Sequence, residues 1–284
     1  MELNSRAPCA YQAASRVIAC LDVRDGRLVK GTRFASLVDL GDPAACAARY
    51  AEEGADEIVL LDVSATIDGR LAGRAAIERV REAIGIPLTV GGGVRSLADA
   101  DRLFDAGADR VSVNSAAFAR PRLLGEIARR YGTQAVVLAI DARPRRWRVG
   151  RADDAPDSAD SAAVEAELPG GEVMLRSGTL ATGCSALDWA LEGARSGAGE
   201  ILLTALDRDG TGSGYDCGAL ALLASRLPIP IIASGGAKTP DHLVEAIRAG
   251  ADAVLVAGIL HRNETTVRSL KKALAAAGVR VRPC

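Results

Sequence analysis

The chain has 284 residues and a formal net charge of −1, with 25% charged, 49% hydrophobic and only 3% aromatic residues. That balance excludes a general nucleic-acid binder and an electrostatic membrane anchor, and no apolar run approaches the ~20 residues that span a bilayer. The length suits two ordinary domains or one all-parallel barrel, with a core of Val, Ile, Leu and Ala rather than aromatic rings.

In chain order, residues 1–15 (MELNSRAPCAYQAAS) lack a continuous apolar stretch and read as a flexible N-terminal extension, not a secretory signal. Residues 16–284 read as one domain. Eight short apolar runs follow: RVIACLDV, EIVLLDV, IPLTVGGG, RVSVNS, QAVVLAID, EILLTALD, IPIIASGG and AVLVAG. Most are continuous rather than alternating, as expected of strands covered on both faces. Amphipathic stretches separate them, among them Pro43–Glu53, Ser96–Ala106, Pro121–Tyr131, Leu187–Ser196 and Pro240–Ala249. In the first, Asp42 is placed to cap the helix, Pro43 suits its first position and Gly54 ends it. Strands alternating with helices predict parallel βα units.

The chain also repeats itself. GADEIVLL at Gly54 returns as GAGEILLT at Gly197, and VGGGVRSLADADRLFDAGADRVSVNS at Val90 returns as ASGGAKTPDHLVEAIRAGADAVLVAG at Ala233, both 143 positions later. One offset held over three strands and two helices indicates a duplicated half of four βα units. Two such halves close a (β/α)8 TIM barrel; a doubly wound open sheet gives no reason for two equal halves. The halves differ at one place. Asp22 and Gly54 lie 32 positions apart but Asp141 and Gly197 lie 56 apart, which leaves 24 extra residues in the second half. They fall in an inserted loop around 143–176, whose segment RADDAPDSADSAAVEAELPGG is acidic and without strong periodicity. A tolerated surface insertion is the plainer reading, and a lid is the alternative.

Chemistry in such barrels collects at the C-terminal strand ends. Asp22 stands there on the first strand and Asp141 on the fifth, which are diametrically opposed in an eight-stranded cylinder. A facing pair can act as general acid and general base. Asp209 adds an acid group at the end of the sixth strand, whereas Asp25 and Asp207 read as turn formers. Glycine-rich ends mark the third, fourth, seventh and eighth strands: VGGGV with Gly93, NSAA with Asn114 and Ser115, SGGA with Gly235 and Gly236, and AGIL with Ala257 and Gly258. Glycine lets an anion approach backbone N–H groups at a helix start. Two such clusters at repeat-related places predict an elongated ligand with a phosphate at each end and its middle over Asp22 and Asp141. Gly210, Gly212 and Gly214 would bring further backbone close to it. The scattered cysteines and the two histidines make a poor metal set, so no metal and no cofactor are expected, and reduced thiols in a cytoplasmic protein are the simplest reading.

These motifs, with VKGT, FASLVDLGDP and ALDRDGTGSGYD, resemble one family over nearly the whole chain, from Arg16 to Val281. It is the cyclase subunit of imidazole glycerol phosphate synthase, from histidine biosynthesis. The resemblance implies that ammonia and a phosphoribulosyl-formimino aminoimidazole carboxamide ribonucleotide give imidazole glycerol phosphate and aminoimidazole carboxamide ribonucleotide. It implies Asp22 and Asp141 as the acid–base pair and Lys30, on a mobile loop after the first strand, near substrate. Asp209 becomes an accessory contact. Gly93, Asn114 and Ser115 then hold one phosphate, and Gly210, Gly235, Gly236, Ala257 and Gly258 the other. It also implies a glutaminase partner on the N-terminal face, feeding ammonia past Arg16, Glu57, Arg110 and Glu200. Read from the residues alone, the same four charges make a salt-bridged plug. Arg110 stands where the family has lysine, and Gly258 where serine is usual; the insertion after Asp141 is the largest departure. A sister isomerase of the same pathway shares the glycine clusters, but CLDV, VKGT, GYD and the charge ring favour the cyclase. A catalytically dead scaffold is opposed by the intact Asp22, Asp141, Lys30 and Asp209.

Overall fold

Apolar runs without alternation need cover on both sides, and in the computed structural model they obtain it by closing into a cylinder sheathed in helices. The structure describes residues 13–32, 35–66, 68–149 and 164–284. The first half comprises β1 (Arg16–Arg24), β2 (Arg27–Thr32), β3 (Ala35–Gly41), α1 (Pro43–Glu52), β4 (Glu57–Asp62), α2 (Arg74–Ala83), β5 (Leu88–Gly91), α3 (Leu97–Asp105), β6 (Arg110–Val113), α4 (Ser115–Ala119) and α5 (Arg122–Tyr131). The second comprises β7 (Val136–Arg143), β8 (Arg146–Val149), β9 (Val164–Glu167), β10 (Glu172–Leu175), β11 (Leu180–Ser185), α6 (Ala186–Ser196), β12 (Glu200–Ala205), α7 (Cys217–Ala224), β13 (Ile231–Ser234), α8 (Pro240–Arg248), β14 (Ala253–Val256), α9 (Gly258–His261) and α10 (Val267–Ala276).

The parallel order β1-β4-β5-β6-β7-β12-β13-β14 returns to β1, where Arg16 lies opposite Ala253 and Ala19 opposite Val256. β1 and β7 are thus four strands apart in either direction. The repeat is visible in the element bounds. β4, β5, β6 and α3 begin at Glu57, Leu88, Arg110 and Leu97, and β12, β13, β14 and α8 begin 143 positions later at Glu200, Ile231, Ala253 and Pro240. Helix capping follows the residues: the Asp42 side chain accepts from the Ala44 N–H with Pro43 behind it, and the Ser96 hydroxyl accepts from the Asp99 N–H.

Within each continuous run, successive side chains still point to opposite faces. From β1, Val17, Ala19 and Leu21 pack outward among the helices, while Ile18 and Cys20 turn inward to meet Val59, Val137, Leu202, Ile232 and Leu255. The same alternation delivers Arg16 to one end of the lumen and Asp22 to the other. The cylinder is fastened along its seam by a buried ion pair, Lys271 Nζ to Asp56 Oδ1 at 2.9 Å, and by Glu53 Oε2, which accepts from the Val267 N–H at 2.9 Å.

Two expectations need correction. Residues 143–176 are not one loop: β8 and β9 pair antiparallel, and β10 lies antiparallel on β7 with Met174 opposite Asp141 before β11 folds back along it. The prolonged strand β7 offers a free edge beyond the mouth, and pairing β10 there satisfies its backbone groups. Most of the acidic stretch, residues 150–163, lies outside the described residues. Secondly, the chain after β1 is a hairpin, β2 on β1 and β3 on β2, turning at Asp25 and Gly26, whose φ values of 52° and 74° match an Asp-Gly turn. Residues 1–12 of the N-terminal extension are also outside the description; Ser15, at its end, donates its N–H to the Arg280 carbonyl.

Candidate functional site

The C-terminal strand ends surround two cavities of about 490 and 500 Å3 that share Leu61 and Thr204 as a common wall. The shared residues are themselves 143 positions apart. The cavity of the first half takes in Gly91–Arg95, Asn114–Ala116 and Asp141; that of the second takes in Gly210–Gly212, Ser234–Lys238, Ala257–Gly258, Asp209 and Asp22. Each half's aspartate therefore opens onto the other half's glycine loops, because β1 neighbours β14 and β7 neighbours β6.

Matching backbone contacts shape the glycine turns. Gly93 and Gly236 have φ of 72° and 96°, and a Cβ would sit 1.8 Å from the Arg70 carbonyl oxygen or 2.2 Å from that of Gly214. Gly92 and Gly235 press on the equivalent β4 and β12 ends, where a Cβ would come within 2.6 Å of the Asp62 carbonyl oxygen or 2.7 Å of that of Ala205. No side chain fits, so backbone faces the cavity.

Asp141 is 8% exposed and accepts from Asn114 Nδ2 at 3.0 Å. Burial pushes its carboxyl from an ordinary 3.8 up to about 7; the Asn114 bond works against this and the charge of Asp209 adds to it. Asp22, 7% exposed, has the Cys20 Sγ at 3.6 Å from Oδ1. A carboxyl group that titrates near neutrality and a second carboxyl across the same mouth are suited to moving protons both ways.

The other expected residues distribute as follows. Lys30 lies on β2 opposite Val38, and its side chain lies outside the described residues. The Ser115 hydroxyl faces the first cavity and accepts from the Arg176 N–H at 3.1 Å. Asp207 is exposed on the turn after β12, as a turn former would be. At the opposite end of the lumen, Arg16 bridges Glu57 at 2.8 Å and Glu200, and Arg110 reaches Glu200 at 2.7 Å and Glu57 at 3.3 Å. The four charges form a closed alternating ring, with Thr89 Oγ1 donating to Glu57 at 2.5 Å. Burial raises Glu200 even though both arginines lower it.

Thr204, Leu61, Arg70, Arg176 and Ser177 line the site without having been expected there. Thr204 had a readable signal, as a polar residue at an inward position of an apolar run. Arg176 and Ser177 had none, because they arrive through the hairpin of the other half.

Among the described residues, Cys20, Cys46, Cys184, Cys217 and Cys284 form no disulfide. Among the described residues no helix is long and apolar enough to cross a membrane. Residues 16–266 match the family described as "Histidine biosynthesis protein". The chain is 48% identical over 269 residues to the imidazole glycerol phosphate synthase subunit HisF of Mycobacteroides abscessus, covering 95% of this chain and 99% of that one. It is 47% identical over 271 residues to the subunit of the same name from Acidobacterium capsulatum, covering 95% and 98%.

Proposed function

Because the chain belongs to the family of imidazole glycerol phosphate synthase cyclase subunits, enzymes of histidine biosynthesis, we propose that its two mouth cavities hold the two phosphates of phosphoribulosyl-formimino aminoimidazole carboxamide ribonucleotide while Asp22 and Asp141 carry out the proton transfers. Closing an imidazole ring with ammonia and releasing an amine require protons to be both delivered and removed. Asp141, pushed up to about 7 by burial, is the member able to hold a proton at neutral pH and so serves as the acid. Asp22 takes the accepting role.

Gly93, Asn114 and Ser115 bind one phosphate, and Gly210, Gly235, Gly236, Ala257 and Gly258 the other, through backbone N–H groups wherever glycine leaves room. Gly258 provides a backbone donor without the hydroxyl usual in the family. Lys30 and Asp209 contact the middle of the substrate. The observation that carries this reading is the repeat of one glycine-turn geometry about a lumen with an aspartate from each half.

The subunit's partner is a glutaminase docked against the N-terminal face, and ammonia enters past Arg16, Glu57, Arg110 and Glu200. A closed ring of four paired charges lies across that route, so a pair must separate for ammonia to pass. Arg110, planar and able to span both glutamates, holds the ring differently from the lysine of the family. Cysteines without a disulfide among the described residues, together with the pathway, fit a cytoplasmic enzyme.

The test is ammonium salt at alkaline pH, the bis-phosphate substrate and no partner. Imidazole glycerol phosphate should form, and should fall by at least about a hundredfold in Asp22→Asn and in Asp141→Asn. Isomerisation without ammonia consumption would instead identify the sister isomerase, and binding without turnover a scaffold.

A further inference from the structure

We infer that Arg176, at the tip of the β10–β11 hairpin, is a substrate-phosphate ligand contributed by the second half-barrel to the first half's cavity, and that it decides which phosphate of the bis-phosphate substrate binds there. The inference rests on the cyclase reading above and adds to it a residue and a specificity.

The hairpin is held by the opposite half. The Arg176 N–H donates to Ser115 Oγ at 3.1 Å, and Ser177 Oγ donates to the Val63 carbonyl at 3.4 Å. Both residues stand in the left-handed region, with φ of 50° and 55°, and Gly178 follows at 83°. Side chains rarely adopt three such residues in a row. The turn thus roots the Arg176 backbone beside the hydroxyl of Ser115, and Arg176, itself exposed to solvent, lines the same cavity as Gly93 and Asp141.

The charge distribution gives that placement its meaning. The first cavity is bordered by Arg70, Arg95 and Arg176 against Asp62 and Asp141; the second by Lys238 and Arg262 against Asp22, Asp209 and Glu264. Arg95 and Lys238 are repeat equivalents, 143 positions apart, so the duplication supplies one loop cation to each side. Arg70 is committed to Asp62 and Ser64. Among the described residues neither Arg95 nor Arg176 has an ion-pair partner; Arg95 is matched by Lys238, so Arg176 is the unpaired cation that the first cavity has and the second lacks. A planar guanidinium binds phosphate oxygens in pairs, and an uneven pair of cavities discriminates the two ends of a ligand whose halves differ only in what lies between the phosphates and the centre.

Arg176→Asn removes the charge while keeping a residue that tolerates positive φ, and Arg176→Lys keeps charge without the planar fork. With ammonium in excess, Arg176→Asn should raise KM for the bis-phosphate substrate by about 10- to 100-fold, with kcat within about threefold of wild type, because a remote phosphate is held alike in ground and transition states. Arg176→Lys should fall between. Melting temperatures matching wild type show that the hairpin still folds. An unchanged KM in a folded Arg176→Asn protein with active wild type overturns the inference and leaves the cyclase reading standing. Should wild type itself fail to turn over, the cyclase reading falls. The inference is then read from calorimetric titration with inorganic phosphate. Two sites in wild type, one of them weakened about tenfold by Arg176→Asn, uphold it. Equal binding by both proteins overturns it.

Discussion

Replacing Asp141 by Asn separates what burial does to that carboxyl from what the carboxyl does for the reaction. The folded protein holds the Asp141 proton up to about pH 7 because burial disfavours the charged form, whereas the unfolded chain releases it near 3.8. Below 3.8 both states are protonated and the group is no handicap. As pH rises, the unfolded chain loses its proton first, so wild-type stability declines until about pH 7 and then stays lower by a constant amount. The distance from 3.8 to about 7 corresponds to about 4 kcal/mol. Asparagine has no charge to bury and still presents an oxygen to Asn114 Nδ2. Urea titrations of both proteins at pH 5 and pH 8.5 measure the difference directly, with other titrating groups cancelling between them. Asp141→Asn should gain on wild type by about 2–3 kcal/mol more at pH 8.5 than at pH 5, while ammonium-dependent turnover disappears. A stability difference independent of pH, or one that favours wild type at pH 8.5, refutes the burial argument.

Two further outcomes follow from the packing. Lys271→Met strands the Asp56 carboxylate, whose partner Lys271 is 4% exposed at 2.9 Å; loss of about 3–5 kcal/mol in urea unfolding is expected, and a loss below about 1 kcal/mol contradicts the pair's role at the seam. Gly236→Ala forces a Cβ against the Gly214 carbonyl at a φ of 96°. It should destabilise the fold by at least about 1 kcal/mol and raise KM for the bis-phosphate substrate, measured by denaturation and by initial rates on the refolded protein; an unaffected KM argues against a phosphate in that turn.

The strands, the barrel and the strand-end residues were legible because their signals are local or repeat. Asp22 closes an apolar run, Gly93 and Gly236 recur at a fixed offset, and Asp42 with Pro43 announces a helix start. The charge ring was legible as residues at strand starts, yet its closure depended on Arg16 and Glu200 meeting across 184 positions. The hairpins were not legible. β8 to β11 are four to six residues long, and β11 is largely exposed, so it carries little apolar pattern. β10 takes the edge of β7 as its partner, which exists only once the barrel has formed, while β8 and β9 pair only with each other. For the same reason Arg176 could not be assigned to Ser115 from order along the chain.

Pairing β1 with β14 has a consequence for synthesis. On the ribosome, the first strand emerges with one flank matched early by β4 and the other bare until residues beyond Ala253 have been translated. Synthesis must therefore reach β14 before the cylinder can shut, and the nascent first half carries an open sheet border throughout that interval. Helix α10, made after β14, then arrives with Lys271 to meet Asp56 and latch the joint.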